Sequence, residues 1–191
     1  MALRCFIAVT LPENLKKSIG GIIAKLGESG ADVKWVPDEN LHLTLKFLGA
    51  TDEGRIGEIK DRLLKKLSSY SPFYIKISGV GCFPGGGRPR VIWVGIEEPG
   101  ALKDIFRDIE DVMMKFGYPR EGRPFSPHLT IGRARSDKKM AEMLKRLDGY
   151  GTVTFGDFEV KGVTLMKSEL KQGGAEYSSL AEIPFGGEDD D

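Results

Sequence analysis

The chain of 191 residues is poor in histidine, cysteine and side-chain amides. It holds two histidines, two cysteines and three amides (Asn14, Asn40 and Gln172). Cys5 and Cys82 lack metal-ligand spacing and are too few for a disulfide framework. With no His-Glu-x-x-His run either, neither a metal nor a cofactor is expected. Gly85-Gly86-Gly87-Arg88 lacks the Lys-Ser/Thr ending of a phosphate-cradling loop and reads as a plain connection. No nucleophile elbow marks a serine triad. No apolar run approaches ~18 residues and no charged-then-apolar start is present, so a cytoplasmic protein without membrane contact is expected. Net charge is lacking too: 28 Lys and Arg face 28 Asp and Glu. Proteins that track long nucleic acids usually carry a basic excess, so any such contact should be local, at an end or a single nucleotide. The few amides beside abundant Lys, Glu and Arg suggest a heat-adapted source.

What is present is an order of elements that occurs twice. Residues 3–9 alternate as a strand, with Cys5 a small core residue. Pro12 opens a helix with Leu15, Ile19, Ile22, Ile23 and Leu26 on one face. Residues 41–48 alternate again, placing Leu41, Leu43, Leu45 and Phe47 on one side. A helix over roughly 53–69, a strand at 73–80 and a loop at 84–89 follow. The plan then recurs: a strand at Val91–Ile96, Pro99 opening a helix that carries Leu102, Ile105, Phe106, Ile109, Val112, Met113 and Phe116, and a strand from His128. A helix at about 137–148 and strands at about 152–167 come next, and apolar positions persist to Phe185. This predicts one domain over 1–185, built as sequence halves of about 1–87 and 88–185, with an acidic, disordered tail at 186–191. The fold class is α+β: mostly antiparallel sheets with helices on one face, as two similar units that face one another.

Each of the two histidines opens the same tetrad, His42-Leu43-Thr44-Leu45 and His128-Leu129-Thr130-Ile131, and they lie 86 positions apart. Threonine occurs only seven times, so its return at the same offset is not a matter of composition. In a strand, residues two apart share a face, so His42 points with Thr44 and His128 with Thr130, backed by buried aliphatic residues. If the units face each other, two imidazoles and two hydroxyls converge in one cleft. Imidazoles titrate near ~6.5 and suit a reaction that takes a proton on one side and gives one on the other. Threonine hydroxyls can donate to non-bridging oxygens of a tetrahedral anion held between them. A phosphate ester fits that geometry.

Paired His-x-Thr-x tetrads at this spacing resemble the 2H phosphoesterase superfamily. The opening Arg4-Cys5-Phe6-Ile7-Ala8-Val9 with Leu11-Pro12 is similar to the RNA 2′,3′-cyclic phosphodiesterases, historically called 2′-5′ RNA ligases. So are residues 40–49, Pro127 through Arg133, and Leu165-Met166-Lys167-Ser168-Glu169-Leu170 with Tyr177 and Leu180. The resemblance covers about residues 4–185. It implies a bilobal fold with a pseudo-twofold axis and an active cleft between the lobes, in which strands can pair across the sequence halves. It also implies opening of 2′,3′-cyclic phosphate ends of RNA to 2′-phosphates, with 2′-5′ ligation as a reverse or side activity. Carried over, His42 is the proton donor and His128 the acceptor; the residues alone do not assign those roles. Partners are then RNA ends or nucleotides bearing a cyclic phosphate, met by a monomer.

Around the tetrads, Arg133 stands where relatives carry a phosphate-contacting arginine. Its odd offset from His128 points it to the opposite face unless Gly132 permits a bulge. Lys46 shares the parity of His42 and Thr44 and is a candidate phosphate contact, while Phe47 is assigned to the core. Arg88, Arg90, Arg120 and Arg123 lie in loops near the tetrads. Two other readings stay open: a phosphoesterase of small cyclic nucleotides using the same residues, and a nucleotide-binding module without turnover. Intact histidines in both tetrads argue against the latter.

Overall fold

Alternating apolar residues carry Ala2–Thr10 into strand β1, whose middle residues, Cys5 through Val9, are all buried because it lies inside a sheet. The coordinates are a computed structural model and describe residues 2–85, 88–97 and 100–186. Pro12, with its carbonyl accepting from the Leu15 and Lys16 amides, starts helix α1 at Glu13–Gly27. The five residues that helical periodicity selects (Leu15, Ile19, Ile22, Ile23, Leu26) are the five it buries, each contributing ~1.5–3 kcal/mol. A short strand β2, Val33–Trp35, and a 3₁₀ turn, Asp38–Asn40, lead to β3, His42–Asp52. Then come α2 (Ile56–Leu67), β4 (Phe73–Phe83), β5 (Val91–Glu97) and α3 (Ala101–Lys115). The chain closes with β6 (His128–Ala134), α4 (Met140–Asp148), β7 (Thr154–Val160), β8 (Gly162–Lys171) and β9 (Gly174–Pro184). Pro99, Gly86, Gly87 and the acidic residues 188–191 lie outside the described residues.

Among the described residues nine strands form two sheets, ordered β3-β1-β8-β9 and β2-β6-β5-β4-β7, and every strand pairing is antiparallel. The fold is therefore α+β, as the pattern predicts. In each sheet the histidine strand pairs with the strand that opens its sequence half, β3 with β1 and β6 with β5. The sheets do not coincide with the sequence halves: β8 and β9 join β1 and β3, while β2 and β4 join the sheet of β5 and β6.

The helices cross over as well. Helix α1, which leads from β1 of the first sheet to β2 of the second, packs with α4 against the second sheet, while α2 and α3 pack against each other and the first. Helix α3, by contrast, connects β5 and β6 of the second sheet yet packs on the first, and among the described residues one apolar core of 38 buried residues runs through both sheets. Helices cover the outer face of each sheet, and β3 and β6 approach one another across the inner side. Among the described residues, no helix is long and apolar enough to cross a membrane.

Candidate active site

The tetrads begin their strands with the alternation expected of half-buried strands. Leu43 and Leu45 are buried behind His42 and Thr44, as Leu129 and Ile131 are behind His128 and Thr130. All four polar residues line one pocket of about 260 Å³ between the sheets, together with Arg133. The convergence of two imidazoles and two hydroxyls is thus present.

Both imidazoles are held the same way. The Nδ1–H of His42 donates to the Asn40 carbonyl at 2.7 Å, and that of His128 to the Ser126 carbonyl at 2.8 Å. A carbonyl can only accept, so Nδ1 keeps its proton and Nε2 is left as the nitrogen that exchanges one. Asn40 is anchored in turn, its amide donating to the Ala175 carbonyl of β9 at 2.8 Å. Its 3₁₀ turn packs on α1, with the Asp38 carboxylate lying directly over Gly20.

The surroundings of the two rings differ. His42 lies 4.8 Å from the Phe6 ring and 5.2 Å from the edge-on Tyr177 ring. Burial there pushes its pKa below the usual imidazole value; the Asn40 carbonyl opposes this and the Lys16 charge adds to it. His128 lies 5.3 Å from the edge-on Phe83 ring, which leans on Trp93.

Lys46 and Phe47 correct two expectations, and one irregularity explains both. Along β1–β3, Ala8 pairs with Thr44 but Ile7 with Lys46, so Leu45 is an extra, bulged residue. Parity inverts beyond it. Lys46 turns away from the His42 face and is 6% exposed, while Phe47 emerges into the pocket at 66% exposed. The Lys46 ammonium meets Glu110 at 2.5 Å and the Pro119 carbonyl at 2.9 Å.

The same irregularity on the other side turns Arg133 toward the cleft. Trp93 pairs with Thr130 but Ile92 with Gly132, so Ile131 is bulged and Arg133 reaches the pocket despite its odd offset. Gly132 serves a different end: a Cβ there would lie 2.8 Å from Trp35 and Val33, so glycine lets β2 close on β6. Among the described residues Arg133 has no ion-pair partner.

The pocket gathers residues not chosen as site residues from the sequence: Arg4, Phe6, Asn40, Ser168 and Tyr177. Alternation on β1 carried a signal for the first two, because Arg4 and Phe6 have the opposite parity to Leu3, Cys5 and Ile7. Ser168 and Tyr177 face each other across β8–β9, a pairing with no local signature. Of the loop arginines, Arg88 pairs with Asp137 at 2.9 Å and Arg120 with Asp111. Arg90 does not line the pocket, and Arg123 lines an adjoining groove. Among the described residues no group of three or more His, Cys, Asp or Glu side chains is placed to hold a metal ion.

Residues 13–172 match the model of the 2′-5′ RNA ligase superfamily. An RNA 2′,3′-cyclic phosphodiesterase of Methanothermobacter thermautotrophicus is 37% identical over 94% of this chain and 97% of its own. One from Thermotoga maritima is 33% identical over 97% of both chains. A crystal structure of a Thermus thermophilus protein superposes with a TM-score of 0.81 at 28% identity, covering 97% of this chain and all of that one.

Proposed function

This chain belongs to the 2′-5′ RNA ligase superfamily, and from that premise we propose that it hydrolyses 2′,3′-cyclic phosphate ends of RNA to 2′-phosphate ends. The observation that carries the reading is the matched pinning of two imidazoles. Each is tied through Nδ1 to the carbonyl two residues before it, and both line the pocket that holds Thr44, Thr130 and Arg133.

The pocket supports an in-line displacement at phosphorus. His128 Nε2 takes a proton from water as the water oxygen bonds to phosphorus. The bond from phosphorus to O3′ breaks, and His42 gives its Nε2 proton to the departing oxygen. The products are a 2′-phosphate and a 3′-hydroxyl, and solvent exchange returns the proton to His42. The two threonine hydroxyls and the Arg133 guanidinium face the non-bridging oxygens, where charge builds in the transition state. With the 5′-hydroxyl of another strand in place of water, the same displacement forms a 2′-5′ linkage. That is the ligation we propose as a side activity.

Phosphorus NMR of the product from a cyclic-ended RNA, with a chelator present, tests the reading. A single 2′-phosphate resonance is expected. A 3′-phosphate, a mixture of isomers or no turnover overturns it.

A further inference from the structure

The catalytic pocket does not end at the histidines. Thr44, Phe47, His128, Thr130 and Arg133 also line a second groove of about 620 Å³, which runs on beneath the segment joining α3 to β6. On its walls are the rings of Phe83 and Phe125, the guanidinium of Arg123 and that of Arg120. Arg120 is already paired with Asp111, whereas Arg123 is exposed and, among the described residues, has no ion-pair partner.

That segment is built to stay in place. Glu110 of α3 accepts the Glu121 amide at 2.9 Å through one carboxylate oxygen and meets Lys46 through the other. Lys46 donates to the Pro119 carbonyl from the opposite side. Phe125 is stacked on Phe106 with centroids 4.3 Å apart and planes 9° from parallel. A buried ion pair rooted in the His42 strand and a stacked ring thus fix both ends of the stretch that carries Arg123.

We propose that this groove holds the RNA chain leading to the cyclic end, with Arg123 on a backbone phosphate and the exposed Phe47 and Phe83 rings against bases. Three features of the groove choose that occupant over an apolar ligand. It is continuous with the phosphate-binding pocket. Its cations (Lys46, Arg120, Arg123, Arg133) outnumber its carboxylates (Glu110, Glu121). Phe47 and Phe83 are 66% and 38% exposed, as stacking platforms for single-stranded bases are. The inference rests on the proposed hydrolysis and adds to it that a chain, not a lone nucleotide, is the preferred substrate.

The test compares a 2′,3′-cyclic mononucleotide with a cyclic-ended trinucleotide over a range of salt. The wild-type protein should show at least about a tenfold higher kcat/KM on the trinucleotide. Arg123→Ala should lose most of that advantage while turning over the mononucleotide normally. The slope of log KM against log salt on the trinucleotide should fall by ~0.7, the release of one counterion from a single strand. Equal wild-type kcat/KM for the two substrates overturns the groove assignment and leaves hydrolysis standing. So does an Arg123→Ala variant that slows both substrates alike or keeps the wild-type salt slope. Failure to hydrolyse either substrate overturns the proposed function itself, and this inference with it.

Discussion

Phe47 and Arg133 hold the same place in the two halves of the cleft. Each follows its tetrad threonine by three residues, and each reaches the pocket because the residue after that threonine is bulged, Leu45 in β3 and Ile131 in β6. The site is symmetric in its imidazoles and hydroxyls and asymmetric at this position: one strand presents a ring, the other a charge. A phosphate held there as proposed would meet Arg133 from the β6 side, with Arg4 of β1 also on the pocket wall. Arg133→Met, which keeps the length and removes the charge, should lower kcat by about 10²-fold, a size expected of a lost donor to a developing anion. Phe47→Leu should change kcat by less than about threefold. Steady-state kinetics on a cyclic mononucleotide checks both, and equal effects would refute the asymmetry.

His42→Ala and His128→Ala should each reduce turnover by ~10²–10⁴. The rings are pinned at strand starts on the cleft side, so the strands behind them keep their core contacts with Leu43, Leu45, Leu129 and Ile131. Circular dichroism and melting should therefore report a folded protein. A folded double variant with near wild-type turnover would remove the mechanism.

Thr44→Val and Thr130→Val delete a hydroxyl with little change in volume. A hydrogen bond to a charged group is worth ~1.5–3 kcal/mol, or roughly 10–100-fold in rate if it forms only in the transition state. The loss should appear in kcat with KM nearly unchanged. Parallel rises in KM at constant kcat would recast the threonines as ground-state binders.

The sequence makes the core faces, the α+β class and the paired tetrads legible because periods of two and 3.6 are local properties. The face of α1 comes out residue by residue, and so do the shared faces of His42 with Thr44 and His128 with Thr130. Lys46 and Phe47 do not, since a bulge is set by how β3 registers against β1 and leaves no mark in β3 itself. Gly132 hints at irregularity in β6, yet its own role is to admit Trp35. The exchange of helices between sheets is a long-range packing choice that neither half announces.

Lys46 and Glu110 are both buried, with side-chain exposures of 5% and 3%. Glu110→Gln leaves an ammonium without its counter-charge and should cost ~3–5 kcal/mol, lowering Tm by roughly 10 °C for a chain of this size. The double variant Lys46→Met/Glu110→Leu should regain most of that loss, because a desolvated pair is replaced by packing. Calorimetry decides. A single variant that melts like wild type would mean the pair contributes nothing to holding the segment beneath which the second groove runs.

The last prediction separates the roles of the two histidines, which a bell-shaped profile cannot do. If one group must be charged and the other neutral, kcat/KM shows the same two limbs whichever is which, and the apparent values belong to the pair. Removing one group resolves this. In His128→Ala the one imidazole left is His42, and burial beside Phe6 and Tyr177 lowers its pKa below ~6.5. As pH rises through that lowered value, His42 passes from imidazolium to imidazole. If it is the donor, residual kcat/KM must fall over this interval, because its active form is disappearing. If it is the acceptor, residual kcat/KM must rise. The pKa itself is open to proton NMR, since the chain contains only two imidazoles. Adding 2′-nucleotide product should raise it, because a phosphate anion beside Nε2 favours the charged ring and offsets the cost of burial. We expect the falling profile and the upward shift together. A residual rate that climbs with pH would exchange the roles of His42 and His128 while leaving the site intact.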